Sequence, residues 1–258
     1  MEKRVARKGF IARLIADCLV VLTAISCIQV LPYSPILMAS ADSEPIKPRL
    51  LVTSDIGGDP DDKQSMVRLM CYSNEFDLEG YVCTALKKDK GEGIQPHPEY
   101  ANEIITAYGQ VRDNLLLHKS GYPTETYLKS IVKTGANLRD LFGNANQDTE
   151  GSTWIIACAD KEDSRPLNIA VWGGASELVQ AIWKVKTTRT PDEYKKFISK
   201  LRVFIISRQD TGLAWLNDNV PELFLVCSYR EEATPINTEQ ATRGIYLPEG
   251  VEEEIVNG

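Results

Sequence analysis

The sequence predicts an α/β protein: a mainly parallel sheet with helices on both faces. Three observations predict it. Short, mostly apolar runs, such as residues 50–53 and 167–172, suit strands buried on both sides. Most are closed by a polar turn rich in glycine or aspartate, and helical spacing of apolar residues then follows. Strands alternating with helices in this way build βα units. The composition agrees: 258 residues, 43% hydrophobic and 25% charged, exclude a disordered, collagenous or multi-span membrane chain and allow a substantial core.

The N-terminus lies outside this pattern. Lys3, Arg4, Arg7, Lys8 and Arg13 precede an apolar run over 18–30, and Ala39, Ser40 and Ala41 follow. A basic, then apolar, then small-residue order predicts a signal peptide over 1–41, cleaved after Ala41, and hence a secreted or periplasmic protein with no membrane contact after cleavage. An uncleaved anchor and a lipoprotein acylated at Cys27 are the alternatives. Residues 42–48 read as a flexible lead, 49–227 as the α/β domain, and 228–258 as a polar tail forming an incomplete end of that domain.

Within the domain the first strand is expected over 50–53, followed by a turn over 54–60 and a helix from Asp61 through Met66, Leu69 and Met70. A second strand spans 78–83. A polar stretch, 87–97, precedes a long helix over 98–117, and a further helix is expected over 124–133, stopped by Gly135. The turn 148–152 leads into a helix over 155–160. Strand 167–172, the Gly173-Gly174 turn, helix 176–184, helix 191–201, strand 202–206, helix 215–224 and a short strand over 223–227 complete the order. Cys71, Cys83, Cys158 and Cys227 are too few for a disulfide scaffold; buried thiols are expected, with one bridge left open among three pairings.

Charge and composition bound the function. A net charge of −7 gives no footprint for nucleic acid, and two histidines cannot build a three-histidine zinc site. Carboxylate is what the chain concentrates. Asp55, Asp59, Asp61 and Asp62 fall at the end of the first strand, where open parallel sheets bind ligands. Gly57 and Gly58 let the turn fold tightly, so the carboxylates converge on a hard cation such as Ca²⁺ or stand as a solvated acidic loop that caps a helix. The spacing is not that of an EF-hand, and no Walker motif or nucleophile elbow occurs.

The stretch 51–68, LVTSDIGGDPDDKQSMVR, resembles the N-terminal signature of the inosine-uridine nucleoside hydrolase superfamily, and more closely its secreted bacterial branch labelled cellulose-binding proteins. Three further stretches agree in order: NEFDLEG at 74–80, DTEGS at 148–152 and VWGGA at 171–175. The resemblance implies a nucleoside-hydrolase-like, Rossmann-like fold and Ca²⁺-assisted attack of water on a ribosyl or related glycosyl bond. It implies Asp55 as general base and metal ligand, Asp62 as metal ligand, Asp61 as a holder of a ribose hydroxyl, and the Ser176 backbone carbonyl, within one residue, as a further metal ligand. Asp148, Glu150 and Asp210 become candidate substrate contacts, with Gln209 beside them. A capping box using Thr149 or Ser152 is the alternative reading for Asp148 and Glu150.

Asp59 is expected at a helix N-cap, and His118 at a helix C-terminus. His97 is a cleft candidate; Trp172 and Trp215 are candidates for stacking, and Trp183 for core packing. Two departures from the family pattern stand out: Arg208 occupies a place where relatives tend to carry an acid, and no aspartate follows Cys227. The expected partner is therefore a nucleoside or carbohydrate, bound and hydrolysed by a Ca²⁺-dependent hydrolase. The alternatives are a non-catalytic carbohydrate (cellulose)-binding protein or a truncated inactive relative. Homo-oligomerisation is left open.

Overall fold

Residues 49–54 form the central strand of the computed structural model, which describes residues 46–86 and 94–228. The expected signal peptide, most of the lead and nearly all of the polar tail lie outside the described residues. Six strands, β1 (Arg49–Ser54), β2 (Asp77–Cys83), β3 (Val132–Thr134), β4 (Leu167–Val171), β5 (Leu201–Ile205) and β6 (Phe224–Cys227), pair in the order β3-β2-β1-β4-β5-β6. Every pairing is parallel. The chain winds one way from β1 to β3 and the other way from β4 to β6. This makes the gap between the carboxyl ends of β1 and β4 the topological switch point, the usual ligand crevice of open α/β sheets.

Seven helices complete the described domain: α1 (Pro60–Cys71), α2 (Pro98–Leu116), α3 (Glu125–Ser130), α4 (Glu150–Asp160), α5 (Ser176–Thr188), α6 (Pro191–Ser199) and α7 (Gly212–Asn219). Successive strand residues point to opposite faces, so β1 feeds two cores. Val52 joins Met66, Leu69, Tyr81, Ala101 and Ile105 under α1 and α2. Leu51 joins Ile155, Ile169, Leu178, Ile182 and Phe197 under α4, α5 and α6. The expected α/β architecture is what forms. On β5 and β6, however, Phe204, Phe224 and Val226 stay exposed on the face opposite α4–α6, because among the described residues no helix reaches them.

Two elements differ from the sequence expectation. The helix expected over 124–133 stops at Ser130, and Val132–Thr134 becomes β3 at the sheet edge. Backbone pairing decides this: Tyr81 N–H donates to Ile131 O at 3.0 Å and Gly135 N–H to Cys83 O at 2.8 Å, on β2. Three residues carry too little periodicity to announce a strand. The helix expected over 215–224 instead runs Gly212–Asn219. Its start is set by the Asp210 carboxylate, which accepts from Gly212 N–H at 2.9 Å. Its end falls just before Val220, which precedes Pro221 and so avoids helical backbone.

Among the described residues Cys71, Cys83 and Cys158 are free thiols, and Cys71, expected to be buried, is exposed. Trp183 is half-buried and belongs to neither apolar core, against the expectation of core packing. Among the described residues no helix is long and apolar enough to cross a membrane.

Candidate functional site

The turn after β1 delivers the acidic cluster to the switch point. Gly57, at φ +109°, lets it fold back, and Gly58 N–H donates to Asp55 O at 3.1 Å. Pro60 opens α1 at its first position, which places Asp61 and Asp62 in the first turn at the positive end of the helix. Asp62 is then drawn under the sheet end. Tyr81 Oη donates to Ser54 Oγ at 2.9 Å, and Ser54 Oγ donates to Asp62 Oδ1 at 2.6 Å.

Arg139, on the loop after β3, closes the crevice. Its Nε donates to Ala85 O at 3.1 Å and its Nη1 to Gln209 O at 2.9 Å, while Nη2 pairs with Asp55 Oδ2. Gln209, which follows β5, donates through Nε2 to Trp172 O at 2.8 Å. Asp210 is fully engaged beside it. Its Oδ2 accepts from Ala175 N–H at 2.7 Å and from Ser176 Oγ at 3.1 Å, tying the turn after β4 to the turn after β5.

Burial governs the electrostatics. It raises the carboxyls of both Asp55 and Asp62, against the pull of Arg139 on Asp55, and Asp62 is pushed up to about 8. The two carboxyls act on each other at close range: burial and the neighbouring Asp55 charge favour the protonated form of Asp62, while the Arg139 guanidinium favours charge on Asp55. Glu177, in the first turn of α5, is fully buried and pushed up to about 7.

A family model described as cellulose-binding Sde182, nucleoside hydrolase-like domain, matches residues 49–248. The chain belongs to this family. A solved structure of a nucleoside hydrolase-related hypothetical protein from Saccharophagus degradans, described as associated with carbohydrate metabolism, is 39% identical, with a TM-score of 0.63. The match covers 69% of this chain and 43% of that one, so the chain spans less than half the length of this relative. Comparison with curated proteins gives no match.

In this Sde182-type domain, six residues singled out from the sequence meet at the crevice or its margin: Asp55, Asp61, Asp62, Ser176, Gln209 and Asp210. Asp61 caps its neighbour, accepting from Asp62 N–H at 3.1 Å. Ser176 brings its hydroxyl to Asp210, while its carbonyl, at the first position of α5, points along the helix. Asp148 and Glu150 engage elsewhere. Asp148 accepts from Gln180 Nε2 at 2.9 Å and pairs with Lys184; Glu150 accepts from Thr134 N–H at 3.1 Å and pairs with Lys133. The capping box between them forms, with Thr149 and Ser152 as partners.

Asp59 takes the N-cap place of α1 without a side-chain cap bond. His118 lies just past α2, its N–H donating to Leu115 O at 3.0 Å. His97 is buried over Gly57, stacked on Tyr100 with ring centroids 5.0 Å apart. Its Nδ1 meets Glu99 Oε1 at 2.5 Å. Trp172 stands edge-on to Tyr81, and Trp215 edge-on to Phe142 in the α4–α6 core. Arg139 and Glu177 were not singled out from the sequence, and no local signal marks either one.

The calcium implied by the family resemblance does not fit this arrangement. Ca²⁺ takes six to eight oxygens, mostly from carboxylates and carbonyls. Here Asp55 Oδ2 is held by a guanidinium and Asp62 Oδ1 by a hydroxyl. Among the described residues, no group of three or more His, Cys, Asp or Glu side chains is placed to hold a metal.

Gly173 sits against this site without tolerance. A Cβ there would lie 2.6 Å from both the Asp55 amide nitrogen and Asp55 Oδ1. Gly173→Ala is expected to cost about 1–3 kcal/mol through forced displacement of the strand end. Calorimetric melting checks it, and an unchanged Tm would show that the turn can yield.

Proposed function

We propose that this domain binds a glycosyl unit in the crevice between β1 and β4, as a non-catalytic carbohydrate-binding domain, with Asp55, Asp61 and Asp62 engaging its hydroxyls. One observation carries this reading: Asp55 and Asp62 meet at the switch point in unlike surroundings, Asp55 against the Arg139 guanidinium, which favours its charge, and Asp62 buried on Ser54 Oγ, where burial favours its acid form. Such a pair offers a charged acceptor and a donor within one site, and a sugar hydroxyl needs both. The family description as cellulose-binding supports a carbohydrate ligand. The basic, apolar and small-residue pattern of 1–41 supports export, which would bring the domain to glycans outside the cytoplasm.

Hydrolysis of a ribosyl or related glycosyl bond is the second reading, favoured by the same acid and carboxylate pair, which is what acid–base cleavage uses. The ion pair with Arg139 weighs against it, because a carboxylate held by a guanidinium is a poor base. Its calcium-assisted form would place the ion at Asp55 and Asp62 and would require Arg139 to release Asp55.

Isothermal titration with cello-oligosaccharides and with a ribonucleoside tests binding; release of p-nitrophenol from its riboside, with and without EDTA, tests cleavage. Binding of the oligosaccharide, weakened about tenfold or more in Asp61→Ala, is the expected result for one lost charge-assisted hydrogen bond. Turnover of the riboside would favour hydrolysis. A folded protein that binds neither ligand would refute the site.

A further inference from the structure

We propose that Arg139 is the resident cation of this site: its guanidinium joins the loops after β1, β2 and β5 at the carboxylate cluster, and the domain therefore binds no calcium there.

The geometry is specific. The guanidinium collects oxygen from three loops: Asp55 Oδ2 after β1, Ala85 O after β2, and both the backbone carbonyl and Oε1 of Gln209 after β5. A carboxylate, an amide oxygen and two backbone carbonyls are the donor types that a calcium ion would gather. The planar fork suits them equally, and it carries a charge that no accessible pH removes. This is no surface ion pair: the Arg139 side chain is only 10% exposed.

The backbone next to Arg139 is also built to aim it. Asp140 adopts φ 62°, a left-handed conformation that a residue with a side chain enters at a cost. Two contacts hold it there. Asp140 N–H donates to Ser176 Oγ at 3.0 Å, and Asp140 Oδ1 accepts from Thr211 N–H at 2.8 Å. The arginine is thus fixed from α5 and from the start of α7, independently of its own bonds. A calcium ion brought to Asp55 would meet a buried positive charge within contact range of the same carboxylate, and repulsion in so poorly hydrated a place is large.

The inference concerns the ion alone, so a calcium titration without sugar separates it from the glycan-binding reading. Wild-type protein, Arg139→Ala and Asp55→Asn are titrated calorimetrically and melted in calcium up to about 10 mM, above the millimolar range of weak extracellular calcium modules. The expected result is no heat and no Tm shift for the wild type, and a calcium-dependent rise in Tm for Arg139→Ala, where the freed oxygens can accept the ion. The double change Arg139→Ala/Asp55→Asn should lose that gain. A calcium-dependent rise in the wild type that Asp55→Asn abolishes would overturn the proposal. So would a folded Arg139→Ala that gains nothing. If Arg139→Ala does not fold, the wild type decides against Asp55→Asn: no shift in either supports the proposal, and a shift only in the wild type refutes it.

Discussion

Glu177→Gln is expected to raise the melting temperature at pH 8 by roughly 6–12 °C while leaving it nearly unchanged at pH 4.5. Glu177 is 2% exposed, and its Oε1 accepts from Ala136 N–H at 2.8 Å. Its Oε2 is buried with no hydrogen-bond partner. Burial is the largest influence on this carboxyl, with the Asp210 charge adding to it, and together they overcome the backbone bonds that favour the ionised form.

The folded protein therefore holds this proton up to about pH 7, whereas the unfolded chain releases it around 4.5. Between these values the native state binds more protons, so stability falls as pH rises. The contribution is fully present below about 4.5 and lost above about 7, a difference of about 3 kcal/mol. Glutamine keeps the acceptor for Ala136 and cannot ionise, which removes the loss. Asp62, pushed up to about 8, imposes a slope of the same sign on both proteins, so the difference between their curves isolates Glu177. Parallel curves of Tm against pH from 5 to 8 would refute the assignment.

Arg49→Met is expected to lower stability by about 3 kcal/mol, or roughly 6–12 °C in Tm. Arg49 opens β1 at 0% exposure, with Nε and Nη2 donating to the two Glu79 oxygens at 2.6 and 2.9 Å. Nη2 also donates to Cys158 O at 2.6 Å. Without the guanidinium, Glu79 keeps only Lys161, at 2.9 Å on a half-exposed side chain, and becomes a buried charge short of a partner. Breaking a buried pair from one side costs about 3–5 kcal/mol, and the remaining lysine places this case at the low end. The double change Arg49→Met/Glu79→Leu should recover most of the loss, since apolar replacement of both partners is often neutral. A double variant as unstable as the single one would show that shape, rather than the stranded charge, sets the cost.

The strands β1, β2, β4 and β5 and the helices α1, α2, α5 and α6 were legible in the residues alone, because each rests on a local period or a terminal Pro, Gly or Thr. So was the placement of Asp55, Asp61 and Asp62 together: they follow one strand within one turn, and a turn is a local object. The capping box at Thr149 was equally local. What escaped was what depends on distant backbone. The edge strand β3 exists only because β2 offers unpaired amides and carbonyls. The partners of Asp148, Gln180 and Lys184, likewise lie on a helix that the local pattern does not relate to it.

Arg139 is the largest case. It lies 84 residues from Asp55 along the chain, in a stretch without motif or period, yet its guanidinium defines the charge of the crevice. Local spacing by itself determined the α/β class and the acidic turn at the first strand end. That Asp55 of this turn pairs with Arg139 was decided only by the tertiary structure, because charge complementarity acts through space and leaves no period in the sequence.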